Sequence, residues 1–134
     1  FNDAVVGNDD KMRRFSVNLK KNKAAHSLVA KRGRDTSTVT CQNFNTVLDE
    51  MRPDIIKMDI EGGELEILRN LKPGILSSAR EFIMEFHHAH LNDIGSEVLF
   101  REVIDIMQNN YDVVKYRAEP KGAWVSNIFC YNEK

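Results

Sequence analysis

The chain has 134 residues, 42% of them hydrophobic, two cysteines and a formal net charge of -1. That is enough to bury one core, so a single domain over residues 1–134 is expected. No apolar run reaches membrane-spanning length, the start has neither the basic nor the apolar part of a signal peptide, and Cys41 and Cys130 show no metal-ligand spacing, so a reduced, cytoplasmic protein is expected.

The small net charge hides an asymmetry. Between Lys11 and Arg34 there are nine basic residues and no acidic one, so the rest of the chain is strongly acidic. The segment reads as a solvated loop that balances the acidic body, or as a cradle for phosphate, a carboxylated sugar or nucleic acid. Phe15 is the only aromatic residue within it, which makes nucleic acid unlike its partner.

Phe1 to Gly7 reads as the tail of a strand with Ala4, Val5 and Val6 as its apolar part, and an opening on Phe suggests a fragment or a processed product. The β-branched runs Phe15–Asn18 and Thr38–Cys41 flank the basic segment and could pair as a long-looped hairpin. Asn45 is the expected N-cap of a short helix over Thr46–Met51, ended by Arg52-Pro53.

The next stretch, Asp54 to Leu68, organises the rest. Ile55, Ile56, Met58 and Ile60 suit a strand covered on both faces, and Gly62-Gly63 marks a tight turn. Leu65, Leu68 and Leu71, with Ile67 beside them, then form the apolar stripe of a helix stopped by Pro73-Gly74. Strand, turn and helix place Asp59 and Glu61 at a carboxyl-terminal strand end, where open α/β sheets bind ligands.

Ile75–Ala79 reads as a further helical turn and Glu81–His87 as the next parallel strand, delivering His87, His88 and His90 to the same edge. Ser96 to Asn109 has the wide apolar face of a helix, and Val113–Arg117 and Val125–Tyr131 finish the chain as strands joined through Pro120 and Gly122.

Asp59-x-Glu61 could bind Mg²⁺ or Mn²⁺ through oxygen or accept a proton from a substrate hydroxyl, with His87 as a further base. A structural account stands beside this. Glu61 and Glu64 would suit the first turn of the following helix, Lys57 could pair with Asp59, and a histidine at a strand end is commonly a hydrogen-bonded structural residue.

The segment Asp54-Ile-Ile-Lys-Met-Asp-Ile-Glu-Gly-Gly-Glu-Leu-Glu-Ile-Leu68 resembles the hallmark of the FkbM family of S-adenosylmethionine-dependent methyltransferases. Ala4–Gly7, Ser27-Leu28, Val39–Asp49 and Ile83–His87 are similar to other parts of the family pattern. The resemblance implies an α/β fold, a Rossmann-like seven-stranded methyltransferase sheet. It covers that domain from the third strand onward, so the first two strands, their helices and the glycine-rich cofactor loop are expected to be missing. In the family's strand order the absent pair lies between the third strand and the central one, which is followed by the fifth, seventh and sixth. The central strand would then lack a neighbour, so a homo-oligomer or a rearranged sheet is expected.

The resemblance further implies methyl transfer from S-adenosylmethionine to a hydroxyl of a small molecule or sugar, incomplete in this chain alone. It gives catalytic roles to Asp59, Glu61 and His87, places Ala4, Val5 and Asp59 near the cofactor and leaves a divalent metal open without assigning its ligands. The alternatives are a non-catalytic binding or oligomerisation module, and a metal-dependent phosphoesterase or nuclease built on Asp59 and Glu61.

Overall fold

A computed structural model describes residues 3–17, 35–87, 96–117 and 125–133. Expectations for Phe1, Ser27-Leu28, most of the basic segment, His88, His90, Pro120 and Gly122 lie outside these residues. The described residues form a mixed α/β arrangement of two sheets and three helices. Among them, no helix is long and apolar enough to cross a membrane.

The first sheet contains β1 (Ala4–Val6), β2 (Met12–Val17) and β3 (Asp35–Asn43), in the order β1-β3-β2. β2 and β3 are antiparallel, so a long-looped pair does form, but in a different register from the one expected: Phe15–Val17 face Asp35–Ser37, and Thr38–Thr40 face Met12–Arg14. β3 carries Thr36, Thr38, Val39 and Thr40, whose branched side chains suit a pleated surface.

The helix α1 (Phe44–Met51) begins one residue after Asn43, whose side chain accepts a hydrogen bond from the Asn45 amide at 2.9 Å. Asn43 is therefore the cap, not Asn45. Asn45 is buried instead: its Nδ2 donates to the Asn70 carbonyl and its Oδ1 accepts from the Lys72 amide, which ties α1 to the chain beyond the next helix. Arg52 ends α1 in a left-handed conformation, with Pro53 after it.

The second sheet has the order β4-β5-β7-β6, from β4 (Ile55–Met58), β5 (Glu81–His87), β6 (Val113–Arg117) and β7 (Val125–Tyr131). β4 and β5 are parallel, while β7 runs antiparallel to both of its neighbours. The expected burial of β4 on both faces is not found. Ile56 and Met58 are buried, whereas Ile55 is 49% exposed, so one face packs and the other is open. β1 pairs with β3 and does not move over to β4, so among the described residues β4 keeps β5 as its sole strand partner.

The buried face carries Phe82, Met84 and Phe86 of β5 and Ile128 and Cys130 of β7. They share one core with Leu65, Ile67 and Leu68 of α2 (Glu64–Arg69) and Leu99, Val103, Ile104 and Met107 of α3 (Ser96–Gln108). Between α2 and β5, a 3-10 turn at Ile75–Ser78 buries Leu76, whose carbonyl accepts from the Tyr111 hydroxyl. α2 stops at Arg69, ahead of the expected breaker at Pro73.

Two contacts seat the first sheet beside the second. Arg13 of β2 forks onto Glu66 of α2 with both bonds at 2.7 Å. At Gly7, an added Cβ would lie 2.5 Å from the Glu66 carbonyl oxygen, so only glycine permits this approach of the β1 end to α2.

Candidate functional site at the ends of β4 and β5

β4 gives way to a sharp turn. Glu61 has φ 58° and Gly62 has φ 110°, so two successive residues adopt left-handed backbone before α2 begins at Glu64. Glu61 therefore belongs to the turn and not to the first helical turn expected for it. Being non-glycine at positive φ, it is held in a costly conformation that the neighbouring Gly62 allows the chain to complete. The reversal brings Glu64 back beneath the strand ends. There its carboxylate is 1% exposed, accepts from the Gly62 amide at 3.1 Å and meets His87 Nδ1 at 2.8 Å.

His87, the last residue of β5, is 7% exposed. With the Glu64 carboxylate as acceptor, Nδ1–H donates to it, and Nε2 is left as the basic nitrogen of the neutral ring. Nε2 faces two further acids, Asp59 Oδ1 and Glu61 Oε1, each at 3.9 Å. The hydrogen bond to Glu64 raises the pKa of His87 above its ordinary value, against burial, which would lower it; the charges of Glu64, Glu61 and Asp59 add to the rise.

The three residues expected to be catalytic, Asp59, Glu61 and His87, thus come together. Asp59 lies directly after β4, at the expected strand end, and is exposed. Its ionic neighbour is His87 rather than Lys57.

Ala4 and Val5 lie apart from this group on β1. Val5 lines a cleft with Arg13, Gly62, Gly63, Glu66 and Ile67. The Arg13–Glu66 ion pair forms part of the lining of that cleft.

Two participants were missed in the sequence. Glu64 appeared only as a helix-dipole acid, yet it anchors His87. Glu85 lies two residues before His87 on the same face of β5, and ligand-capable atoms of Asp59, Glu85 and His87 all fall within 4.8 Å of one another. Strand alternation could have put Glu85 beside His87; its nearness to Asp59 depends on the parallel register that pairs Met58 with Met84.

The arrangement provides an oriented imidazole, with a buried acid behind it and two acids before it. Such a group can take a proton from a bound hydroxyl and hold it as an imidazolium between carboxylates. Residues 2–114 match the family model described as the methyltransferase FkbM domain. No curated protein and no solved structure matches the chain.

Proposed function

The chain belongs to the FkbM methyltransferase family, and from that premise we propose that it forms the acceptor side of an S-adenosylmethionine-dependent O-methyltransferase acting on a hydroxyl of a small molecule or sugar. The observation that carries this reading is the Glu64–His87 pair, which presents Nε2 toward Asp59 and Glu61 at the carboxyl ends of two parallel strands. A methyl acceptor oxygen must be held in position and must lose its proton as it attacks. His87 Nε2 accepts that proton; Asp59 and Glu61 stabilise the resulting positive charge and can hold the acceptor's other hydroxyls.

The strand order supports the same fold reading. β4-β5-β7-β6, with β7 antiparallel, is the order that the resemblance implies for the fourth, fifth, seventh and sixth strands of a Rossmann-like methyltransferase sheet. On the open face, β5 and β7 pair Glu85 with Asn127 and Ile83 with Phe129. Asn127 thus offers a sugar hydroxyl an amide two residues from the proposed base, while Phe129 lies about 13 Å back from that base along the strand.

The test is release of S-adenosylhomocysteine by the full translation product of the gene, offered a panel of polyols, glycosides and phenols as acceptors. Turnover that requires an acceptor hydroxyl and falls by about 10²–10⁴ in His87→Gln, with the fold retained, supports the reading. Turnover unaffected by that substitution would remove His87 as the base, and no turnover with any acceptor would favour a binding module.

A further inference from the structure

We infer that Asp59, Glu85 and His87 form a binding site for a divalent transition-metal cation, with Mn²⁺ or Zn²⁺ chemistry rather than that of Mg²⁺. Each residue offers one ligand atom, and the three atoms lie within 4.8 Å of one another. Metal bonds of about 2.1 Å set neighbouring ligand atoms roughly 3 Å apart, so the cluster must tighten on binding. Asp59 is exposed and can turn inward.

His87 separates this cluster from an ordinary patch of surface acids. Its ring is 7% exposed and is fixed from behind by buried Glu64, whose hydrogen bond to Nδ1 leaves Nε2 available on the side of Asp59 and Glu61. A carboxylate bound to the second nitrogen is the common support of a metal-ligating histidine, because it sets the tautomer and makes the other nitrogen a better donor. One imidazole and two carboxylates suit Mn²⁺, Zn²⁺ or Fe²⁺, whereas Mg²⁺ favours oxygen and retained water.

The ligands come from two adjacent parallel strands: Asp59 directly after β4, and Glu85 and His87 from one face of β5. Three protein ligands leave coordination positions open, which an acceptor oxygen could fill; with the cation bound, Nε2 is a ligand and no longer the proton acceptor, so the two roles of His87 exclude one another at any one moment. Cation binding would hold whether or not the chain transfers a methyl group.

The test is titration of the chelator-treated protein with MnCl₂, followed by the electron paramagnetic resonance signal of free Mn²⁺, and with ZnCl₂ followed by calorimetry. A single cation per chain is expected, bound at least about tenfold more weakly by Asp59→Asn, Glu85→Gln and, through the imidazole, Glu64→Gln. Asp49→Asn, in an exposed ion pair with Lys72, serves as the control and should bind as the parent does. Circular dichroism of each variant separates lost ligands from lost fold. Absence of binding, or binding unchanged in both Asp59→Asn and Glu85→Gln, overturns the inference. Because the readout is binding, an inactive enzyme with an intact cation site remains distinguishable from a chain with no such site.

Discussion

Nδ1 of His87 lies 2.8 Å from Oε1 of Glu64, and both side chains are buried although they come from the end of one strand and the start of a helix. Truncating His87 to alanine would leave the Glu64 carboxylate with the Gly62 amide and little else in a low-dielectric pocket. Loss of one partner from a buried ionic pair costs about 3–5 kcal/mol, so His87→Ala should lower the urea midpoint far more than an exposed substitution does. A midpoint within experimental error of the parent would mean that water reaches Glu64.

The same pair sets a pH dependence in the metal-free protein. Glu64 raises the folded-state pKa of His87 above 6.5, so the folded chain binds this proton more tightly than the unfolded chain. The resulting stabilisation is complete below pH 6.5 and is lost as pH rises through the folded-state value. Melting temperature measured across that range should fall, and Glu64→Gln should flatten the fall.

Cys130 gives an alkaline counterpart. Burial pushes its thiol up from 9.0 to about 12, and burial also raises the Tyr111 hydroxyl. Above pH 9.0 the unfolded chain releases the thiol proton before the folded chain does, so stability should decline as pH rises from there. Cys130→Ala should remove part of that slope while lowering stability at neutral pH. In the native protein Cys130 should resist iodoacetamide until the chain is unfolded.

Much of this arrangement was legible because local pattern and tertiary role coincide. Leu65 and Leu68 face the core at helical spacing, and Phe82, Met84 and Phe86 alternate as a half-buried strand should. Ile55 was misjudged for a physical reason: four apolar residues in six do not reveal whether a second layer covers the sheet. Asn43 and Asn45 both have capping side chains, and only the start of α1 distinguishes them. Glu85 was hidden because its partner Asp59 lies on another strand, and the register joining them is a tertiary fact.

Gly7 should tolerate no side chain. The atoms that its Cβ would meet are the carbonyl carbon and oxygen of Glu66 and the Cα of Ile67, all backbone in a helix that also carries core residues. Gly7→Ala must push the β1 end away from α2 and stretch the Arg13–Glu66 ion pair. Overpacking of this kind costs about 1–3 kcal/mol, which urea denaturation would register; an unchanged midpoint would show that β1 can shift freely.

The edge of β4 leads us to propose that the chain self-associates. Among the described residues β4 pairs with β5 alone, and Ile55 is 49% exposed beside that edge. An unpaired edge with apolar neighbours is a template for another strand, and Lys57, exposed on the same strand, is the sole charge placed there to discourage it. A second copy pairing through β4 would satisfy the free backbone groups and cover Ile55 at once. Sedimentation velocity should therefore show mass increasing with concentration toward a dimer. Ile55→Lys adds a second cation beside Lys57 without entering the core, so it should return the protein to monomer with its melting temperature little changed. A parent chain that remains monomeric at every concentration would mean that the edge is protected in some other way.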